Sequence, residues 1–424
     1  MNIIKQDQPK GVYLLFFVEM WERFAYYGMR ALLVLYMVET LLFSVEKSSQ
    51  IYGLYTGLVY LTPILGGYIA DRFLGQRKCI SFGTILMCTG LFLLAFGGKF
   101  FFLTALSLMV IANGFFKSNI SSVLGLLYGD DNSKKDSGYT IFYMGINLGA
   151  FFSPLVCATL AAKFGYEYGF AAAGTGMLAG ALIYKFYQNK FLGNSGILPS
   201  SKIENEKQTK LTKHQKNRIF ALFALMFFTI AFWICFEQAG SSLTLFAQYC
   251  TNRTFLGHKI PTGYFQSLNP LYIIIFAPFV SLLWTYLRSQ KKEPSSVTKF
   301  VIALFLMSFA FIIMAIAGNL SAISAVSSLW LVIVYFIMTM SELCISPIGL
   351  SLVSKLAPVQ FLSVLMGSWF LTCFFGNLLA GFLGGKYGTI SNAALFLILA
   401  GISSTAAIIL LLFVPIIKKS IGKI

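Results

Sequence analysis

The chain has 424 residues, 57% of them hydrophobic and only 11% charged, with a mean hydropathy of +0.77. A soluble domain is about a quarter charged, so the composition excludes a soluble globular protein and indicates a polytopic membrane protein. Two His and seven scattered Cys form no ligand-spaced cluster, so no metal or other cofactor is implied.

The polar start "MNIIKQDQPK" runs straight into a long apolar helix, with no cleavable signal expected. A span takes roughly 20 apolar residues. Twelve are predicted, at about 11–40, 51–70, 79–97, 101–127, 139–162, 168–188, 218–249, 263–287, 300–318, 325–354, 360–384 and 391–416. The longest polar stretch, 189–217, contains "SSKIENEKQTKLTKHQKN" and separates six spans from six. The expected architecture is an all-α membrane protein with a six-helix bundle (1–188), a cytoplasmic linker (189–217) and a second six-helix bundle (218–424). This is the layout of the major facilitator fold. The linker reads as a solvated tether, with an amphipathic helix on anionic lipid as the other reading. Gly145, Gly149, Gly376 and Gly381 are small residues that permit close helix packing.

The net charge of +17 raises the question of nucleic acid. With both termini placed inside, 23 of the 32 Lys and Arg fall on the inner side and 6 on the outer, and Arg23, Arg30 and Lys117 lie within spans. That asymmetry follows the positive-inside rule, puts both termini in the cytoplasm and leaves no role for nucleic acid.

The first span carries four ionisable side chains, Glu19, Glu22, Arg23 and Arg30. At about 100° per residue, Glu19, Arg23, Tyr26 and Arg30 form one narrow stripe, flanked by Glu22 and Tyr27, while Phe17, Phe24, Ala31 and Leu35 make the opposite face apolar. Further along lie Lys117 in the fourth span, Glu237 in the seventh and Glu342 in the tenth. An unpaired charge at mid-membrane costs about 2.5–3.5 kcal/mol. Seven would cost on the order of 20 kcal/mol, beyond the ~5–15 kcal/mol stability of a typical protein. The four acids and three bases must therefore pair or face water. Such acids near bases equip a chain for proton-coupled transport. The competing reading is a set of ion pairs that only fix helix register.

"EMWERFAYYG" (19–28) resembles the ExxERFxYYG motif of the proton-dependent oligopeptide transporter family in residue type and spacing. "GGYIADRFLGQRK" (66–78) is similar to the motif-A loop of the wider superfamily. "YTIFYMGINLGAFFSP" (139–154), "FWICFEQAGSSLTLFA" (232–247), "FQSLNPLYIIIFAP" (265–278) and "SELCISPIGLSLVSKLAP" (341–358) resemble the family's fifth, seventh, eighth and tenth helices. Many bacterial members carry two extra helices between the sixth and seventh spans, for which the linker here is too short and polar.

The resemblance implies a proton-coupled symporter importing di- and tripeptides by alternating access. It also implies roles for residues. Arg23, Arg30 and Lys117 face the peptide carboxylate, a task suited to the planar fork of Arg. Glu342, Asn147 and Asn269 hold the amine. Tyr26, Tyr27, Tyr60, Trp233 and Trp369 line side-chain pockets. Proton coupling falls to Glu19, Glu22, Arg23 and Glu237, with Arg30 expected to pair with ionised Glu237. Asp71, Arg72 and Arg77 belong to a cytoplasmic gate. Protons, peptide and lipid are the expected partners, with no cofactor, in a monomer of the plasma (bacterial inner) membrane.

Two other readings compete. One keeps the fold and changes the cargo to nitrate, another carboxylate, a peptide-like drug or a siderophore. Nitrate has no amine and gives no use to Glu342. The other is a peptide sensor that moves nothing, which has no use for proton-site acids. No enzyme is indicated: nucleophile elbows, zinc spacings and phosphate loops are missing, and "SNISSVLG" (118–125) is a Ser-rich helix face.

Overall fold

The computed structural model describes residues 8–128, 134–199, 212–358 and 361–421. The chain is helical almost throughout. In order come α1 (Lys10–Glu39), α2 (Val45–Ile69), α3 (Gln76–Ala95), α4 (Lys99–Leu126), α5 (Lys135–Phe164), α6 (Tyr166–Phe191), α7 (Lys213–Phe236) and α8 (Ser242–Tyr249). Then follow α9 (Leu268–Ser289), α10 (Ser296–Leu320), α11 (Leu329–Leu343), α12 (Ser346–Leu356), α13 (Leu362–Gly384) and α14 (Asn392–Ile421). Each predicted span corresponds to one rod, because apolar runs of this length close their own backbone hydrogen bonds in helices. Among the described residues, ten rods are long and apolar enough to cross a membrane. The other two, α1 with four central charges and α6 with its glycines and tyrosines, are as long but more polar. The protein is an integral membrane protein of the major facilitator fold.

Two predicted spans are broken rods. The seventh runs through α7, a 3₁₀ turn at Glu237–Gly240, and α8. The tenth runs through α11, a break at Cys344 and Ile345, and α12. The eighth opens with a 3₁₀ turn, Thr262–Ser267, before α9. The second ends in a π-helical turn, Ala70–Leu74. Gly240 and the Ser346–Pro347 pair sit at the first two breaks, where helix propagation is weakest.

The chain divides into two compact units. The first comprises Met1–Tyr36 and Leu58–Glu204, the second Met37–Gly57 and Asn205–Ile424. Within the first, α3 packs on α4 and α6, and α5 on α6. Its core joins Val12, Leu15 and Val18 of α1 to Phe116, Ile120 and Val123 of α4. Within the second, α10 packs on α14 and α11, and α7 on α13 and α14. The opening half of α2 packs with this second unit. Ser49 Oγ accepts from Ser241 Oγ at 3.0 Å, and Gly53 lies so close to Gly381 that a Cβ on either would meet the other's backbone. The linker expected at 189–217 is described only in part. Residues 200–211, which hold the question of tether against surface helix, lie outside the described residues. Thr212 and Gln215 then form a capping box that starts α7.

Between α9 and α10 a short turn is closed by ions. Arg288 gives two hydrogen bonds to Glu293, at 2.7 and 3.2 Å, and Lys299 Nζ adds a third at 2.7 Å. Hydrogen bonds from Arg288, then from Lys299, hold the Glu293 carboxyl down at about 2. A carboxyl lowered in the folded state stabilises the fold above its ordinary pKa of about 4.3, and loses that effect as pH falls through about 2. Glu293→Gln is expected to lower the unfolding temperature of detergent-purified protein slightly at pH 5–8, with the gap to wild type closing below about pH 3. Thermal unfolding across pH measures both.

Candidate functional site

The first unit concentrates charge on α1. Glu22 is fully buried, and Glu19 and Arg23 nearly so. The four-residue spacing brings Glu19 Oε1 to 2.8 Å from Arg23 Nε, and Glu22 Oε2 reaches the same nitrogen at 2.7 Å. One guanidinium thus serves two carboxylates. Lys117 of α4 lies within coulombic range of Glu22 and supplies the second positive charge. The Nε hydrogen goes to Glu19, so the Glu22 contact is an ion pair without a hydrogen bond; Glu19 Oε2, both Glu22 oxygens and Arg23 Nη2 are buried and make no hydrogen bond among the described residues. Gly149 makes the cluster's enclosure possible: on α5 it lies directly against the Met20 carbonyl and the Arg23 Cβ, with no room for a side chain.

Each cation also meets an aromatic ring. Arg23 Cζ is 5.6 Å from the Tyr26 centroid, Arg30 Cζ 6.0 Å from that of Tyr27, and Lys117 Nζ 3.9 Å from that of Tyr60. A ring attracts a cation without cancelling its charge. Asn147, buried on α5, turns its amide back along the helix to the Tyr143 carbonyl at 3.0 Å.

Sequence reasoning passed over Asn113. Its side chain is buried and neither polar atom has a hydrogen-bond partner among the described residues. It stands one turn before Lys117, a spacing that is visible in the sequence.

In the second unit the expected residues gather at the helix breaks. Glu237 is buried and opens the 3₁₀ turn after α7. Asn269 is in the first turn of α9, and Glu342 in the last turn of α11. Asn269 Nδ2 donates to Glu342 Oε2 at 2.8 Å and to Thr339 Oγ1 at 3.1 Å. The Thr339 hydroxyl donates to the Tyr335 carbonyl at 2.7 Å, and the Tyr335 hydroxyl to the Ala239 carbonyl, in the turn of Glu237, at 3.2 Å. Thr339 and Tyr335 were not singled out from the sequence; their spacing of three and seven residues before Glu342 puts them on its helical face. Trp233 is buried with its Cβ on Gly376, and Trp369 is buried over Gly349. Arg30 belongs to the first unit and Glu237 to the second.

At the loop after α2, Asp71 accepts from Gln76 Nε2 at 2.8 Å, and Arg72 donates to the Tyr68 hydroxyl at 2.8 Å. Arg77 has a different setting. It is buried and grips the end of α6 and the residues beyond it. Its guanidinium donates to the Gly193 carbonyl at 2.8 Å, to Gln188 Oε1 at 3.4 Å and to Asn189 Oδ1. Among the described residues no group of three or more His, Cys, Asp or Glu converges as a metal site.

The model of the POT family matches residues 77–192 and 185–395, two stretches that meet at the linker. A peptide transporter of Yersinia enterocolitica is 33% identical over 476 residues, covering 95% of this chain and 93% of that protein. Dipeptide and tripeptide permease B of Aliivibrio fischeri is 32% identical over 413 residues, covering 86% of this chain and 83% of that one. The fold is similar to that of a POT peptide transporter crystallised with alafosfalin, with a TM-score of 0.93, 31% identity, and coverage of 98% and 96%. It is also similar to a POT family transporter in complex with 5-aminolevulinic acid, with a TM-score of 0.91, 28% identity, and coverage of 97% of both chains.

The geometry separates two kinds of cation. Arg23→Ala leaves two adjacent buried carboxylates without their shared partner, at a cost of about 3–5 kcal/mol. Lys117→Ala removes a half-buried ammonium that stands over the Tyr60 ring and near Glu22, but leaves Glu22 its Arg23 partner, at a smaller cost of about 1–2 kcal/mol. Thermal unfolding in detergent should rank Arg23→Ala well below Lys117→Ala. Equal losses would make Lys117 part of the scaffold.

Proposed function

This chain belongs to the POT family of transporters, and we propose that it imports di- and tripeptides together with protons by alternating access. The cations of α1 and α4 take the peptide carboxylate; Glu342, with Asn269 and Asn147, takes the amine. A dipole of this kind accepts the backbone ends common to all short peptides and leaves the side chains to Tyr26, Tyr27, Tyr60, Trp233 and Trp369. The observation that carries the reading is the carboxylate of Glu342 held at 2.8 Å by Asn269. A carboxyl acceptor positioned inside an apolar helix bundle suits an ammonium group and has no use for nitrate or another simple anion.

Proton coupling is assigned to Glu19, Glu22, Arg23 and Glu237. The guanidinium of Arg23 is held by both neighbouring acids while they are ionised; protonating one loosens that hold and frees N–H donors for the substrate carboxylate. In the same reading Arg30 is released for the carboxylate when Glu237 takes a proton. A proton entering down ~100 mV gains about 2.3 kcal/mol, and one pH unit adds about 1.4 kcal/mol. One proton per peptide then sustains roughly 500-fold accumulation. Asp71, Arg72 and Arg77 remain assigned to the cytoplasmic gate. The charge asymmetry of the loops supports both termini in the cytoplasm, and the same reading makes the protein a monomer of the bacterial inner membrane with lipid around it.

Uptake of labelled dialanine and trialanine into liposomes tests the function. Accumulation is expected only with an inward proton gradient; Glu22→Gln should abolish it while peptide counterflow stays measurable. Entry that ignores the gradient would make the protein an uncoupled carrier. Driven uptake that survives in Glu22→Gln would remove that acid from coupling.

Glu342→Gln should weaken dialanine far more than N-acetyl-dialanine as a competitor of uptake, since only the former carries an ammonium. Equal weakening of the two would displace Glu342 as the amine partner.

A further inference from the structure

Thr339 is buried in the middle of α11 and faces α9. A hydroxyl carries one hydrogen, and that of Thr339 goes to the Tyr335 carbonyl at 2.7 Å. Towards Asn269 it therefore acts only as an acceptor. The 3.1 Å contact from Asn269 Nδ2 satisfies this. The second hydrogen of the same nitrogen goes to Glu342 Oε2 at 2.8 Å. Both hydrogens of Asn269 Nδ2 are thus assigned, and the amide has one orientation, nitrogen towards Glu342 and oxygen away from it. The far end of the sequence of bonds is also fixed, because the Tyr335 hydroxyl is anchored on the Ala239 carbonyl at 3.2 Å.

We propose that Thr339 is a positioning residue for amine selectivity: it orients the Asn269 amide so that the Glu342 carboxyl is pre-aimed at the ammonium group of the substrate. The proposal rests on the reading of Glu342 as the amine partner and adds to it what aims that carboxylate. Without the Thr339 acceptor the amide keeps only its bond to the carboxylate and can swing about it, so the carboxylate loses its fixed aim. A Thr whose hydroxyl only closes a bond to its own helix, a common arrangement, needs no partner across the bundle. Here the partner exists and is itself bonded to the acid.

The test is competition against uptake of labelled dialanine by dialanine and N-acetyl-dialanine, in Thr339→Val, Thr339→Ser and Glu342→Gln. Valine keeps the shape of Thr and removes the hydroxyl. Dialanine is expected to weaken about five- to ten-fold in Thr339→Val, the fold-change of one lost hydrogen bond, and N-acetyl-dialanine less than about two-fold. Thr339→Ser, which keeps the acceptor, should hold dialanine near its wild-type strength. Thr339→Ala takes the place of the valine variant should that one yield no folded protein. Equal weakening of both peptides, or none, overturns the proposal when Glu342→Gln is selective for dialanine. Equal weakening in Glu342→Gln itself overturns the assignment of Glu342, and the role of Thr339 with it.

Discussion

A single guanidinium held between two buried carboxylates is the constraint on which the first unit is built. Arg23 Nε stands 2.8 and 2.7 Å from Glu19 and Glu22, and removing Arg23 strands two adjacent buried acids without their shared partner. The neighbours follow from this. A helix backbone at Gly149 closes over the cluster where any side chain would intrude. Lys117 brings the count of positive charges to that of the acids. Aromatic rings stand by each cation and steady it without neutralising it. The result is a cluster of two acids and two bases packed together, so a change in the charge of one member is felt by the other three.

The second unit handles its acids by other means. Glu237, Asn269 and Glu342 stand where a helix starts or stops. Irregular backbone at membrane depth requires partners for the groups it releases, and those partners come from the next helix. The Ala239 carbonyl takes the hydroxyls of both Tyr335 and Thr244. The same bonds that make a break tolerable join it to the neighbouring polar residues. Gln238 does likewise, donating to the carbonyls of Ile234 and Ala380 at 3.1 Å each.

Much of this was legible in the sequence. Twelve apolar runs became twelve rods, because length and hydropathy decide whether a segment can satisfy its backbone in lipid. The stripe of Glu19, Arg23, Tyr26 and Arg30 followed from helical periodicity. What escaped is what hydropathy does not record. The breaks at Glu237–Gly240 and at Cys344 lay inside the apolar runs 218–249 and 325–354, and only Gly240 and Ser346–Pro347 hinted at them. Asn113, Tyr335 and Thr339 passed as filler, since a polar residue in an apolar segment gains meaning from a partner on another helix. The hold of Arg77 on Gln188, Asn189 and Gly193 joins residues more than a hundred positions apart, a distance over which local pattern carries no information.

The bonds running from the turn of Glu237 to Glu342 have a composition that bears on how such a chain ages. Two of the four acceptors, at Ala239 and Tyr335, are main-chain carbonyls, which every amino acid possesses. Drift at position 239 can alter the side chain and leave the anchor standing. The side-chain members of the arrangement are Asn269, Tyr335, Thr339 and Glu342, so these four positions are where drift would break it.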